Sequence, residues 1–455
     1  MKLRSYLERY QGKQILVLGL GVSNRPLVRL LLENGLDVTA CDRTPREKLE
    51  EEVLELERSG AKLRLGEDYL CGLTADVVFR TPGMLPTMPE IQALIRQGAE
   101  ITSEMEVFFE ICPCTILAVT GSDGKTTTTT LIAEMLKAAG RRVFLGGNIG
   151  TPLLPLSDEM GEGDIAVVEL SSFQLMDMRR SPHIAVVTNL APNHLDHHTD
   201  MDEYVTAKKQ IFLHQGPEDV LILNHDNAIT DGLQPEARGE VRLFSRQEML
   251  EQGVCLRDGV IYRDGQELLR QSDILIPGIH NVENYMAAIC AVEGLVPDDC
   301  IRQVARSFGG VEHRIELVRV KDGVSYYNDS IASSPSRTIA GLRSFGQKVI
   351  LIAGGYDKQI PYDVLGPEIC AHVKTLVLTG ATAPKIRIAT EDAEKDAKEA
   401  PKILEIDDFY DAIRVAAGEA EPGDVVLFSP ASASFDHFKN FAVRGREFKK
   451  TVMEL

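Results

Sequence analysis

The chain has 455 residues, 44% of them hydrophobic, and a formal net charge of -19 at pH 7. That length exceeds what one hydrophobic core supports and predicts about three domains, while the acidic balance argues against nonspecific binding to nucleic acid or to an anionic membrane, since both need a basic face. The eight cysteines form no C-x-x-C pair, which argues against a zinc site or a disulfide framework, and no stretch reads as a signal peptide or a membrane span, so a cytoplasmic protein is expected.

The first predicted element is a strand beginning at Gln14 and running into the turn Gly19-Leu-Gly21-Val22-Ser23-Asn24. A helix to Asn34-Gly35 and a strand from Asp37 to Asp42 follow, so the segment reads as a βαβ half of a doubly wound sheet. Asp42 lies about twenty residues beyond the glycines, as in a dinucleotide fingerprint, but Asn24 takes the place of the third glycine. The broken fingerprint favours the phosphate and ribose of another nucleotide over NAD. A charged helix from Pro45 to Gly60 and a strand ending at Thr81-Pro82-Gly83 complete this unit, which is expected to close near residue 103.

An apolar strand from Thr115 to Val119 leads into Thr120-Gly121-Ser122-Asp123-Gly124-Lys125-Thr126-Thr127. Leu131, Ile132, Met135, Leu136 and Ala139 then share a helical face that stops at Gly140, so the glycine turn opens onto a helix N-terminus. This is the context of a phosphate loop: backbone N–H groups turn toward an anion, Lys125 supplies a point charge and the Thr126 hydroxyl suits Mg²⁺. Val119 stands where the strict pattern has its first glycine, so the loop is a variant.

Two more buried strands are predicted, Asp164 to Leu170 and His183 to Leu190. They place Glu169, with Ser171-Ser-Phe-Gln174 after it, and Asn193-His194-Leu-Asp196 at strand carboxyl ends, where ligands gather in open parallel sheets. A helix follows with Tyr204, Ala207, Lys208 and Ile211 near one face, and residues 225–275, rich in charge and turns, read as irregular. His280 opens another helix that holds His280 and Asn284 one turn apart, and Phe308 to Arg314 reads as a hinge. In the last third, strands are predicted at Val324–Asn328, Lys348–Ala353, Thr375–Leu378 and Asp424–Phe428, each ending in a polar or glycine-bearing turn.

Singly, a strand-end glutamate, a lone histidine or a helical lysine is more often structural than catalytic. Beside a phosphate loop, Glu169, His194 and Lys208 form a set suited to a Mg²⁺-nucleotide.

The strings Thr120-Gly-Ser-Asp-Gly-Lys-Thr-Thr127, Glu169-Leu-Ser-Ser-Phe-Gln-Leu, Asn193-His-Leu-Asp, Tyr204-x-x-Ala-Lys208, His280-Asn-x-x-Asn284, His313-Arg314, Asn328-Asp-Ser330 and Ser429-Pro-Ala-Ser-Ala-Ser-Phe-Asp-x-Phe-Lys-Asn-Phe441 together resemble the Mur ligases over the whole chain. The resemblance implies three α/β domains. These are a Rossmann-like domain for a UDP-sugar over 1–103, a central P-loop ATPase-like domain with a mostly parallel sheet over 104–310, and a C-terminal Rossmann-like domain for an amino acid over 311–455. It implies that ATP phosphorylates the terminal carboxylate of a UDP-linked acceptor and that an amine attacks the acyl phosphate, leaving amide, ADP and phosphate. The pattern is most like that of the members that add D-glutamate to UDP-N-acetylmuramoyl-L-alanine for peptidoglycan, as monomers. A related ligase taking L-glutamate or another amino acid is the same-class alternative, and an NAD-dependent oxidoreductase, suggested by the first unit alone, is the different-class one.

By motif match, the resemblance implies that Gly121, Ser122, Asp123, Gly124, Lys125, Thr126 and Thr127 hold the ATP phosphates, with Asn284, Arg314 and Asp329 contacting the rest of the nucleotide. Two Mg²⁺ ions would be held by Thr126, Glu169, His194 and Lys208, the last carbamylated as in the family, and Lys125, His194 and Lys208 would be catalytic. The UDP-substrate positions are Gly21, Val22, Ser23, Asn24, Asp42, Arg43, Thr81, Pro82, Gly83, Asn148 and Ser171; the amino-acid positions are Lys358, Ser434, Phe441 and Ser333. One departure stands out: the family usually has a lysine directly after Asn-Asp-Ser, and this chain has Ile331, which cannot pair with a carboxylate.

Overall fold

Strand β1 (Gln14–Leu18) is buried on both faces, as a central parallel strand must be when helices cover the sheet on each side. The computed structural model, which describes residues 3–192, 199–395 and 399–455, places it in the first of three sheets. Its partners are β2 (Asp37–Asp42), β3 (Lys62–Leu65), β4 (Val77–Arg80) and β5 (Glu100–Thr102). All pairings are parallel in the order β3-β2-β1-β4-β5. That is a Rossmann-like order, with its topological switch between β1 and β4 and its ligand crevice at their carboxyl ends.

The second sheet contains β6 (Thr115–Thr120), β7 (Val143–Gly147), β8 (Ile165–Glu169), β9 (Ile184–Val187), β10 (Val220–Asn224), β11 (Glu240–Ser245), β12 (Val254–Arg257), β13 (Val260–Arg263) and β14 (Gln266–Arg270). Its order is β14-β13-β12-β11-β10-β9-β6-β8-β7, parallel from β7 through to β12 and antiparallel only at the β12-β13-β14 edge. β6 therefore sits between β8 and β9, and the loop that leaves it emerges between their carboxyl ends.

The third sheet contains β15 (Glu316–Lys321), β16 (Val324–Asn328), β17 (Val349–Ala353), β18 (Val373–Leu378), β19 (Lys402–Glu405) and β20 (Val425–Phe428). Its order is β15-β16-β20-β17-β18-β19, parallel except for β15. The first two sheets lie in one compact unit, Met1–Gln271 with Glu283–Val304, and the third in another, Ser272–Val282 with Ala305–Leu455.

Residues 225–275 are more regular than their composition suggests. β12, β13 and β14 are joined by the two-residue turns Asp258-Gly259 and Asp264-Gly265, all four residues at positive φ, and Asp322-Gly323 joins β15 to β16 in the same way. Asp-Gly is the residue pair that such hairpin turns select, because both central positions need left-handed backbone. Among the described residues no helix is long and apolar enough to cross a membrane.

Candidate active site

The phosphate loop leaves the end of β6 at Thr120 and enters the helix Lys125–Ala138. Gly121 and Gly124 have φ of 150° and 76°, and there is no room for a side chain at either. A β-carbon would lie 1.9 Å from Thr188 Oγ1 at Gly121 and 2.2 Å from Asn284 Oδ1 at Gly124. The loop is held from both sides: Asn189 Oδ1 accepts from the Asp123 N–H at 3.0 Å, Thr188 Oγ1 donates to the Asp123 carbonyl at 2.6 Å, and Ser122 Oγ meets Tyr204 OH at 3.0 Å. Lys125 Nζ donates to the carbonyls of Gly121 and Ser122, both at 3.0 Å. Asn284 Oδ1 accepts from Thr128 Oγ1 at 3.3 Å, which brings the predicted Asn284 against the loop's helix. Thr126 and Thr127 occupy the first turn of that helix.

Glu169 ends β8 directly beside the loop, in register with Val119. It is 1% exposed; Oε1 accepts from Asn148 Nδ2 at 2.8 Å, and Oε2 has no hydrogen-bond partner among the described residues. A desolvated carboxylate oxygen without a donor fits a hard cation. Among the described residues no cluster of three or more His, Cys, Asp or Glu could hold a metal by itself, and Mg²⁺ is commonly bound by one or two protein oxygens with substrate phosphates and water supplying the rest. Asn148 is thus committed to Glu169, by its side chain and by its N–H to the Glu169 carbonyl at 2.8 Å. Residues 193–198, including the predicted His194, lie outside the described residues.

Lys208 comes from the helix Met201–Leu213 and is 2% exposed. Its Nζ donates to the Gly121 carbonyl at 2.8 Å and to Thr120 Oγ1 at 3.1 Å, over the Tyr204 ring. Burial holds this amine well below the usual lysine range and the Lys125 ammonium pushes the same way, against the pull of Glu169 and Asp123. The structure therefore gathers Lys125, Glu169 and Lys208 around one loop.

At the switch point of the first sheet, Asp42 Oδ2 accepts from the Leu20 N–H at 2.7 Å and Oδ1 from the Thr44 N–H at 2.8 Å, so Asp42 shapes the Gly19–Asn24 turn. Asn24 Nδ2 donates to the carbonyls of Leu18 and Gly19, which accounts for an amide where a dinucleotide fold keeps glycine. A cleft lined by Ser23, Asn24, Arg80, Pro82, Ser103 and Gln174 unites the two predicted loops. Gly21, Val22, Arg43, Thr81 and Gly83 lie on the turns that border the sheet edge. Arg80 was not singled out by sequence: it is 3% exposed, donates to the Met84 carbonyl and pairs with Asp177 at 2.7 Å, fixing the Thr81–Gly83 loop. Its signal was a lone charge closing the apolar strand Val77-Val-Phe-Arg80. Ser171 caps the short helix Ser172–Leu175 through a capping box with Gln174.

In the second unit, Asp329 follows β16 and is fully enclosed. Ser429 Oγ donates to Oδ2 at 2.7 Å and the Ile315 N–H to Oδ1 at 3.3 Å. Burial raises its pKa to about 7 in spite of these donors. Arg314 is exposed one residue after His313, whose ring meets Asn328 Nδ2 at 2.9 Å. Ser434 is buried, while Lys358 is exposed; Ser333 is half-buried, and Phe441 begins the helix Phe441–Glu454. Arg444, also unforeseen, is buried beneath this loop and donates to the carbonyls of Ser330, Ser432 and Ala433 and to Ser330 Oγ.

Residues 119–292 match the family model described as "Mur ligase middle domain", and residues 313–432 that described as "Mur ligase, glutamate ligase domain". The chain is 54% identical to the "UDP-N-acetylmuramoylalanine--D-glutamate ligase" of Acetivibrio thermocellus, covering 99% of this chain and 98% of that protein. It is 49% identical to the protein of the same name from Ruminiclostridium cellulolyticum, over 100% and 99%. Among solved structures, the UDP-N-acetylmuramate-alanine ligase MurC of Thermotoga maritima shares the fold with a TM-score of 0.60 at 18% identity, over 97% of this chain and 99% of that one. MurF of Acinetobacter baumannii does so with a TM-score of 0.57 at 16% identity, over 95% and 93%.

Proposed function

The chain belongs to the Mur ligase family, and on that premise we propose that it joins D-glutamate to the alanyl carboxylate of UDP-N-acetylmuramoyl-L-alanine, with cleavage of ATP to ADP and phosphate. It is an ATP-dependent acid–amino-acid ligase of peptidoglycan precursor synthesis. Full-length identity to ligases of that name supports the substrate. The observation that carries the chemistry is the buried pair Glu169 and Lys208 against the phosphate loop, one with a bare carboxylate oxygen and the other with an amine that burial holds below the usual lysine range.

Little covalent work falls to the protein; catalysis is positioning and charge neutralisation. The loop N–H groups and Lys125 hold the β- and γ-phosphates, and Asn284, Arg314 and Asp329 contact the remainder of ATP. Thr126, Glu169, His194 and, once carbamylated, Lys208 would hold Mg²⁺, which when bound would offset the charge gathering on the transferred phosphoryl group. The acceptor carboxylate attacks the γ-phosphorus and ADP leaves; the amine of glutamate then attacks the acyl carbon and phosphate leaves. Lys208 is the carbamylation site. Its neutral Nζ attacks CO₂, an N–C bond forms and a proton passes to water, leaving a carboxylate-like group that needs no ammonium buried beside Lys125. Catalytic roles are thus assigned to Lys125, Lys208 and His194.

The uridine diphosphate lies along Gly21–Asn24, Asp42-Arg43 and Thr81–Gly83, with Asn148 and Ser171 also at the UDP-substrate, and the amino acid on Lys358, Ser434, Phe441 and Ser333. The domain boundaries are placed near residues 103 and 310, in a monomeric cytoplasmic enzyme. Phosphate release is the test. It should require ATP, Mg²⁺, UDP-N-acetylmuramoyl-L-alanine and D-glutamate together, and silence with the complete set, or equal turnover with L-glutamate, would overturn the assignment.

A further inference from the structure

A glutamate whose amine is free to attack carries two carboxylates and no compensating charge, while the amino-acid site described above offers one cation, Lys358. A desolvated carboxylate left unpaired is costly, so the chemistry calls for a second cation on the same sheet edge. Most cations of the second unit are spoken for. Arg444 gives its guanidinium to the carbonyls of Ser330, Ser432 and Ala433; Lys385 pairs with Asp357, Arg343 with Glu368, and Lys449 with Glu312 and Glu316.

Arg337 differs. It lies on the helix Pro335–Leu342 just beyond β16, is exposed, and has no carboxylate within ion-pair distance among the described residues, while its Nη1 donates to the Ile331 carbonyl at 3.2 Å. That bond sets the guanidinium against the residue whose own side chain cannot pair with an anion. β16 and β17 flank β20 in parallel register, Asn328 and Ile352 both opposite Phe428. The segments leading to Arg337 and Lys358 therefore leave the sheet on either side of the Ser429–Ser434 loop, from strand ends about 10 Å apart. A Tyr356–Ala433 bridge ties the central loop to one flank, and Arg444, bonded to both Ser330 and Ala433, ties it to the other.

We propose that Arg337 is the second cation of the amino-acid site and pairs with one carboxylate of glutamate while Lys358 takes the other. The proposal rests on the D-glutamate reading above. It gives Ile331 a physical reason: the anion contact comes from a guanidinium anchored on its backbone.

The test is steady-state kinetics of R337Q and R337K. R337Q should raise KM for D-glutamate about tenfold to a hundredfold, as expected for loss of a charge-assisted contact. KM for ATP and for the UDP-substrate should change far less than KM for D-glutamate, because Arg337 reaches Asp329 only through a minor coulombic influence, and thermal stability should hold because the side chain is exposed. R337K, which keeps the charge and loses the fork, should fall between. D-glutamine and D-isoglutamine, each lacking one carboxylate, identify the partner: wild type should discriminate against both, and R337Q against only one. A wild-type KM in R337Q, an equal rise in KM for ATP, or undiminished discrimination against both analogues would overturn the proposal alone. An inactive wild-type enzyme with D-glutamate would overturn the substrate reading and this proposal with it.

Discussion

Lys208 Nζ donates to the carbonyl oxygen of Gly121 at 2.8 Å, so the amine at the centre of the site is fastened to the loop that binds phosphate. Its folded pKa lies well below the 10.5 of a free lysine, so the unfolded chain binds the extra proton and stability rises with pH toward 10.5. Lys208→Met should therefore stabilise the unliganded protein at pH 7, by about 1–4 kcal/mol in urea unfolding, as when other buried charges are replaced by apolar groups. Lys208→Ala should lower kcat about 10²–10³-fold while keeping its fold, with partial rescue by a short-chain carboxylic acid. Full activity in Lys208→Ala would remove the carbamate assignment.

The contact between Gly124 and Asn284 gives a stability test independent of catalysis. Gly124→Ala brings both a left-handed alanine and a collision with Asn284 Oδ1, and should cost about 2–4 kcal/mol. In an Asn284→Ala background the collision is gone and only the backbone strain remains, so the same substitution should cost about 1–2 kcal/mol. Additive costs in the double-mutant cycle would show that Asn284 does not wall the loop.

Most of this site was legible because strand ends announce themselves. β1, β6, β8, β9 and β17 are apolar runs closed by glycine or a polar residue, and doubly wound sheets put ligands at those ends, so Gly121 and Glu169 could be found from the sequence. β12 to β15 were missed because these short strands each end in an arginine or lysine and lack a long apolar run; their signal was the Asp-Gly pairs, which specify the turn rather than the strands. Arg80 and Arg444 were invisible for another reason. Their partners are mostly backbone carbonyls brought near by folding, and sequence carries no mark of which carbonyls will be left to satisfy. Asn148, Asp42 and Ser171, expected at the substrate, also have local bonding partners that spacing could not reveal.

The bare Oε2 of Glu169 predicts how metal dependence responds to substitution. Glu169→Gln removes the charge but keeps the bond from Asn148 available through its amide oxygen, so the fold should hold. The Mg²⁺ concentration for half-maximal activity should rise on the order of ten- to a hundredfold, and chelation should no longer lower the thermal midpoint measured with ATP. An unchanged Mg²⁺ requirement would remove Glu169 from the metal site.

Asp329 predicts a pH dependence in the second unit. Burial raises its pKa from 3.8 to about 7, so between about pH 4 and pH 7 the native state holds a proton that the unfolded chain has released. Stability is therefore lost as pH rises through that window, the reverse of a salt-bridged carboxylate. Asp329→Asn cannot ionise; its amide oxygen can still accept from the Ile315 N–H, and its NH₂ can donate to Ser429 Oγ, whose hydroxyl reaches Thr338 Oγ1. The difference in unfolding free energy between variant and wild type should swing toward the variant by about 2–4 kcal/mol from pH 4 to pH 8. A difference that stays flat across this range would mean that Asp329 is ionised in the folded protein throughout, and that its two donors outweigh its burial.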